Sequence, residues 1–581
     1  MKKLLFLSII GIILLPLVLA NQGHMRLLAV TELANGSMRG GIADLYLEIK
    51  PGSGRVFLET FPVTRTDTQI STRFAKTIAC DFLEEDCSKY DFFYTITADS
   101  SIVAGPSAGA SIAALTASML KGLKVNEDIA ATGTINSGGL VGPVGGLKAK
   151  IEAASKAGLR KVLIPVGEPI KEEGNETKTI SARNFSEQAG IEIIEVSTLA
   201  DVIGQFTGKN LGKEYPPISI DNKYSSVMES LAVQLCERSN FLLEELDKIK
   251  SDVNITKKLE EALNNTQRGK NAFENGEFYS SASFCFGANV ELGNLILFKQ
   301  NATKEELIER LALLKEEIMR FENETEAKER NTITSLEAYM AVKERLDEAN
   351  SLADRTLESL GSNQSMSADS ARRNLAYANE RLNSAYSWSK FFGNSGKKFN
   401  LDKEMVRQSC QNKISEVEER LQYVEFYLPG TMSSIKLELS DAYKDLGSGN
   451  YELCLFKASK LKADSDVVLS VFGVDESNYD SLLDRKIAIA EEVLAKEASK
   501  GIFPVLGYSY YEYSKSLKNS NKMSALLYSE YASELGNLDI YFREESNNFS
   551  IPIDKSLLLV FLSGAAIGFI ASLLIRKKIR K

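Results

Sequence analysis

The sequence predicts an α+β domain near the N-terminus, a long all-α region after it and one transmembrane helix near the C-terminus. Residues 24–208 alternate strand-like and helix-like segments. Residues 222–547 are rich in Leu, Ala, Glu, Lys and Ser and contain few prolines. Residues 556–575 are apolar and uncharged over about 20 positions, the length that a bilayer-spanning helix needs.

Local patterns justify the elements of the α+β domain. Residues 43–49 alternate apolar and polar side chains, which predicts a strand, and the Pro-Gly-Ser-Gly that follows predicts a turn. Residues 70–82 read as a helix and residues 94–97 as another strand. A helix is expected after Gly105-Pro106, and residues 161–165 form a short buried strand.

The sequence of the helical region predicts helices but contains no metal-binding or phosphate-binding motif. Residues 209–221, which include Tyr215-Pro216-Pro217, form a linker, and leucines beyond it recur at helical spacing. Residues 276–282 and 449–454 share a glycine, one polar residue and an aromatic. Such spacing is compatible with helical repeats and equally with an irregular bundle. A stalk, a lid or a partner surface are the roles left open.

Both ends of the chain predict membrane targeting. Lys2 and Lys3 precede an apolar run that ends at Ala20, so residues 1–20 are interpreted as a secretory signal peptide, with an uncleaved anchor as the alternative. The basic tail, residues 576–581, is expected in the cytoplasm. A single-pass protein of the cell membrane is expected, with its α+β and helical domains facing the exterior.

The cysteines agree with an oxidising exterior. The chain has 6 cysteines without a C-x-x-C pair, which argues against a zinc site. Their order along the chain suggests disulfides between neighbours, against an alternative of six buried thiols. The predicted pairs are Cys80–Cys87, Cys236–Cys285 and Cys410–Cys454.

Composition excludes several classes of function. The 69 basic residues against 78 acidic ones give a net charge of −9, without the basic footprint of a nucleic-acid binder. The chain has 1 histidine, His24, close to the N-terminus. A Ser-His-Asp triad or a multi-histidine metal site is therefore nearly excluded, and we expect no metal and no cofactor.

Two segments carry candidate chemistry. In the first, Ser107 sits at a predicted helix N-terminus, where backbone N–H groups around it and the supporting Ala108 can hold an oxyanion. In the second, Lys148 falls in the first turn of a helix that follows Gly145-Gly146. The helix dipole and burial both lower the pKa of a lysine placed there, and a neutral amine can take a proton from a serine. Read separately, the two segments are only a helix start and a solvated lysine.

Taken together, the segments resemble the proteolytic domain of the Lon family over residues 25–208. The matching segments are 105–109, 131–133, 142–148 and 157–165, in that order. The resemblance implies a Ser107 nucleophile, a Lys148 general base and a Thr132 that orients the lysine. Residues 29–32 are similar to an early family strand and carry Glu32 as a weaker candidate. Members form rings through this domain, which implies a homo-oligomer.

Two departures from the family separate this chain from its ATP-driven members. The acidic residue often found three positions before the serine is Ala104 here, so Asp99 or Glu32 could take its place. No G-x-x-x-x-G-K-S/T motif occurs, and residues 393–398 lack its spacing. The resemblance is therefore to archaeal membrane-anchored, ATP-independent Lon-like proteins.

The sequence thus predicts a membrane-anchored serine endopeptidase with a Ser-Lys dyad that cleaves unfolded or flexible polypeptides outside the cytoplasm. A non-catalytic surface protein that keeps the fold as a binding module, with a helical stalk, is the alternative. Cleavage of its own chain alone is a third reading.

Overall fold

The computed structural model describes most of the chain between the two predicted membrane segments. Described are residues 22–32, 38–98, 105–172, 175–218, 222–249, 256–361, 366–393, 396–471, 474, 478–544, 563–565 and 568–569. The predicted signal peptide, Asp99, Ala104 and most of the predicted span 556–575 lie outside these residues. In the described part, one helix, Phe278–Lys299, has the length and apolar composition to cross a bilayer, and most of it is buried among other helices.

A seven-stranded mixed sheet forms the centre of the N-terminal domain. Its order is β11-β8-β5-β1-β2-β4-β3, with β1, β5, β8 and β11 parallel and β2 antiparallel to both of its neighbours. The alternation at 43–49 lies in β2, and the buried strand predicted at 161–165 is β8. The strands are β1 (Gln22–Glu32), β2 (Met38–Pro51), β3 (Val56–Phe61), β4 (Tyr90–Ala98), β5 (Ile129–Ala131), β6 (Thr134–Ile135), β7 (Val141–Gly142), β8 (Lys161–Pro165), β9 (Ile170–Glu172), β10 (Asn175–Ile180) and β11 (Glu192–Val196).

Helices cover both faces of this sheet. Because successive strand residues point to opposite faces, Leu27 joins the core under α1, α2 and α5, whereas Leu28 joins the core under α3 and α4. The result is a three-layer domain of mixed α and β structure. The helices are α1 (Thr66–Phe82), α2 (Gly109–Leu120), α3 (Leu147–Lys156), α4 (Ala182–Ala189) and α5 (Leu199–Thr207).

An all-helical region follows an extended segment, 209–218, that carries no helix or strand. Its helices surround one large apolar core that runs from Tyr224 to Phe542. Within the described residues these helices are α6 (Asn222–Lys248), α7 (Thr256–Glu274), α8 (Phe278–Lys299), α9 (Lys304–Glu326), α10 (Ile333–Gly361), α11 (Ala368–Trp388), α12 (Lys403–Tyr427), α13 (Ser433–Ser448), α14 (Tyr451–Val471), α15 (Tyr479–Ser499), α16 (Val505–Leu517) and α17 (Lys522–Leu535).

The helical region consists of two halves with the same arrangement, α6–α11 and α12–α17. In the first half α8 packs against α6, α7 and α11, and α10 packs against α11. In the second half α14 packs against α12, α13 and α17, and α16 packs against α17. The two similar segments of the sequence begin at the equivalent turns before α8 and α14, where Gly276 and Gly449 have φ of 76° and 87°. An internal structural repeat of six helices explains the similarity.

The structure contains the three disulfides that the sequence predicts. Cys80 on α1 is joined to Cys87 just after it. Cys236–Cys285 joins α6 to α8, and Cys410–Cys454 joins α12 to α14. The last two occupy equivalent places in the two halves, which supports the repeat.

The second half of the helical region docks on the N-terminal domain. Helix α12 packs along α1, and Asp81 on α1 forms ion pairs with Lys496 and Lys500. Ile489 and Val493 of α15 pack on Leu140 in the loop before α3. This places α12 and α15 beside the segments that carry the candidate dyad.

Candidate active site

Ser107 lies at the start of α2, two residues before its first helical residue. Gly105 has φ of 96°, a conformation that favours glycine, and it turns the chain into the helix. Ala108 is the N-cap residue, and a Cβ at Gly109 would lie 3.1 Å from Ile135 N, so this close approach favours glycine. The half-buried serine is thus presented on a helix N-terminus, as its motif predicts.

The backbone of Ser107 is held by the end of β5. Its carbonyl oxygen accepts a hydrogen bond from Gly133 N at 2.9 Å and a longer one, 3.4 Å, from Thr132 Oγ1. Gly133 O in turn accepts from Ala110 N at 3.0 Å. These bonds fix the position of the serine relative to Thr132.

A buried lysine completes the constellation, and it is Lys150. Its side chain is 1% exposed, and its Nζ donates a 3.0 Å hydrogen bond to Thr132 Oγ1. Burial lowers the pKa of Lys150 to about 8, and the Glu168 carboxylate opposes this shift in part. A substantial fraction of this amine is therefore neutral near pH 8.

The structure does not bring Lys148 to this position. Lys148 is half-buried on the side of α3 that faces away from Thr132, because two residues along a helix turn the side chain by about 200°. The buried face of α3 carries Leu147, Lys150, Ile151 and Ala154, a pattern of i, i+3, i+4 and i+7. The predicted base, Lys148, is therefore two positions from the buried lysine, and the spacing of Leu147, Ile151 and Ala154 is the signal in the sequence that favours Lys150.

Thr132 connects the two candidate residues. It is completely buried at the end of β5, where its backbone N–H bonds to Leu163 O of β8 at 3.0 Å. Its hydroxyl accepts from Lys150 Nζ and lies within hydrogen-bond reach of Ser107 O. A threonine was expected to orient the lysine, and the structure places it against Lys150.

Glu168 is a site residue that sequence reasoning missed. It lies in the loop after β8, and both of its carboxylate oxygens accept from Val144 N, at 3.0 and 2.9 Å. It thereby holds the glycine-rich loop before α3 and places a negative charge near Lys150. No periodicity or motif at 166–169 signals this role, because the contact joins residues 24 positions apart.

The remaining residues named from the sequence are Glu32, Asp99, Ala104 and Ala108. Glu32 is the last residue of β1 and pairs with Met38 in the backbone register, and its side chain is outside the described residues. Asp99 and Ala104 also lie outside them. Ala108 supplies a backbone N–H at the start of α2.

Known proteins resemble the N-terminal domain. Residues 30–206 match the Lon protease (S16) C-terminal proteolytic domain. The chain is 36% identical over 118 residues to an archaeal Lon protease of Methanothermobacter thermautotrophicus, covering 20% of this chain and 17% of that protein. It is 35% identical over 141 residues to a Lon protease of Paraburkholderia phytofirmans, covering 23% and 17% of the two chains.

The resemblance deduced from the motifs is thereby confirmed for this domain. A Lon protease of Clostridium beijerinckii is 34% identical over 188 residues, 31% of this chain and 22% of its own. The chain thus spans about a fifth of the length of these relatives. The matched family domain ends at residue 206, before α6 begins.

Proposed function

We propose that this protein is a serine endopeptidase in which Ser107 is the nucleophile and Lys150 the general base. The main observation in support is that the buried Lys150 amine is hydrogen-bonded to Thr132, whose hydroxyl also lies within reach of the Ser107 carbonyl oxygen. The match to the Lon proteolytic domain supports the assignment. With a single histidine in the chain, an amine is the base that this site offers.

The proposed chemistry gives each of these groups one role. The neutral Lys150 amine takes the proton of Ser107 Oγ as that oxygen attacks the peptide carbonyl, and it then protonates the departing amine. Backbone N–H groups of Ser107 and Ala108, at the positive end of α2, stabilise the oxyanion. Water repeats the sequence to release the acyl group.

Burial makes the lysine fit for this role. The shift from the ordinary value of 10.5 to about 8 corresponds to about 3 kcal/mol of lost stability of the charged form. Thr132 accepts one hydrogen bond from the amine and so orients it. Without this environment the amine would remain protonated at neutral pH and could not act as a base.

We further propose that the enzyme is anchored in the cell membrane, faces the exterior and works without ATP. The three disulfides fit an oxidising compartment. The apolar segment 556–575 and its basic flank supply an anchor, and the chain has no Walker A motif. We expect its substrates to be unfolded or flexible polypeptides, since the sequence contains no Walker A motif of an ATP-driven unfoldase.

The direct test is hydrolysis of unfolded casein by the purified full-length chain in detergent, without nucleotide. We expect turnover by the wild type and none by Ser107→Ala, with an unchanged melting temperature. Equal turnover by Ser107→Ala would reject the nucleophile. A wild type without turnover would favour the alternative, a binding protein that retains the fold.

A further inference from the structure

Two side chains of the helical region reach the loops of the candidate dyad. Tyr423 Oη accepts a 3.0 Å hydrogen bond from Gly145 N, in the loop before α3. Arg420 donates through Nη2 to Asn136 Oδ1 at 2.7 Å. The two residues lie three positions apart on α12 and so share one face of that helix.

Tyr423 also lies next to the nucleophile loop. A Cβ at Gly105 would lie 3.8 Å from Cε2 of Tyr423, so the ring lies beside the turn that presents Ser107. The same side chain therefore lies next to the loop before the nucleophile and is hydrogen-bonded to the loop before the base. Its exposure is 6%, so this position is filled by protein rather than by solvent.

Arg420 holds the other end of the loop that leads to Lys150. Asn136 follows Thr132 and Gly133 by a few residues, and its backbone N–H bonds to Leu140 O at 2.9 Å. The segment from Asn136 to Gly145 is thus fixed at both ends by α12. Since this segment runs from the Thr132 strand to the Lys150 helix, its placement helps to hold Lys150 against Thr132.

The anchoring depends on a buried layer of charged residues in the second half of the helical region. Arg420 Nε lies 2.8 Å from Asp466 Oδ1, and Lys413 lies 2.8 Å from Glu534 and 2.9 Å from Glu416. Lys462 bridges Glu534 and Asp466 at 3.1 and 2.6 Å. The ammonium groups of Lys413 and Lys462 also lie 6.0 and 5.6 Å from the Phe74 ring of α1.

The first half shows that the fold does not need this charged layer. Counted from the equivalent disulfide cysteines, Arg420, Glu416 and Asp466 correspond to Leu246, Leu242 and Leu297. All three leucines are buried. Because buried ion pairs are often no more stabilising than apolar residues of similar volume, stability alone does not account for the charges. The half that carries them is the half that docks on α1 and the loop.

We propose that Tyr423 and Arg420 are positioning residues of the peptidase, so that the helical region completes the active site instead of acting as a stalk. This inference rests on the proposed function. Tyr423 holds Gly145 and the start of α3, and Arg420 holds Asn136. Together they fix the loop between Thr132 and Lys150.

The test compares Tyr423→Phe, which removes one hydroxyl, with Tyr443→Phe. Tyr443 is the control because its hydroxyl also forms a hydrogen bond, with Glu418, but the residue is exposed on α13 and that partner lies on α12, not in either loop of the dyad. In the full-length chain we expect Tyr423→Phe to lower kcat about tenfold, with KM within about twofold and an unchanged melting temperature. Hydrogen exchange at the Gly145 amide should become faster in this variant, whereas Tyr443→Phe should match the wild type in every measurement.

The opposite outcomes are distinguishable. Unchanged kcat and unchanged exchange at Gly145 would overturn the inference. A rise in turnover would also overturn it, because Tyr423 would then obstruct the active site. If wild type and Ser107→Ala were both inactive, both the proposed function and this inference would be rejected. Active wild type with inactive Ser107→Ala retains the function whatever Tyr423→Phe does.

Discussion

Lys150 Nζ donates a 3.0 Å hydrogen bond to Thr132 Oγ1 in a part of the domain where both side chains are almost fully buried. The two residues lie on different elements, α3 and the end of β5, and the loop between them contacts the helical region. This bond relates the amine to the Ser107 backbone. The following predictions test its consequences.

Removing the hydroxyl of Thr132 should impair the reaction more than the fold. In Thr132→Val the buried amine loses its hydrogen-bond acceptor, which costs about 1–3 kcal/mol and frees the side chain to reorient. We expect kcat for casein hydrolysis to fall at least about tenfold.

Thr116→Val is the matched control for this variant. Thr116 lies on α2 and is also buried, and its hydroxyl is 2.8 Å from that of Tyr94. It should lose stability without losing kcat. Equal kcat in Thr132→Val and wild type would contradict the role given to this hydroxyl.

Activity should rise with pH through about 8. The lowered pKa of Lys150 means that the neutral, proton-accepting amine is the minor form below this pH and the major form above it. At two pH units below the pKa, kcat/KM should therefore be about a hundredfold lower than its plateau value above the pKa. A profile that is flat between pH 6 and 9 would contradict a lysine base.

The single imidazole should be dispensable for this profile. His24 lies at the start of β1, where it pairs with Asp44 at 2.8 Å. His24→Gln should keep both kcat and the midpoint of the pH profile. A shift of that midpoint in the variant would reassign the titrating group.

Neutralising Glu168 should move the profile to lower pH. The carboxylate raises the pKa of Lys150 against the effect of burial, so Glu168→Gln lowers that pKa further. The amide oxygen can still accept from Val144 N, which preserves the loop contact. A midpoint that moves upward, or stays where it is in the wild type, would show that Glu168 does not act on the lysine through its charge.

The proposed exterior orientation predicts oxidised cysteines and digestion from one side of the membrane only. Peptide mapping without reductant should recover the pairs Cys80–Cys87, Cys236–Cys285 and Cys410–Cys454. A protease added to right-side-out vesicles should digest the helical region, and inverted vesicles should protect it. Free thiols, or the reverse protection pattern, would place the domains in the cytoplasm.

Local patterns predict the strands and the serine-bearing turn, because each depends on nearby residues. The disulfide pairs are predicted instead from the order of the six cysteines along the chain. The choice between Lys148 and Lys150 required the inward face of α3, which Leu147, Ile151 and Ala154 define. The contact of Tyr423 with Gly145 joins residues 278 positions apart, so no local pattern can reveal it. The buried charged layer likewise joins residues of different helices, so its role cannot be read from any local pattern.

The most direct test of the account compares Lys150→Ala with Lys148→Ala in the hydrolysis of unfolded casein at pH 8. The buried amine is the proposed base, so Lys150→Ala should abolish turnover while Lys148→Ala retains most of it, with both chains folded. Loss of activity in Lys148→Ala and robust turnover by Lys150→Ala would contradict the assignment.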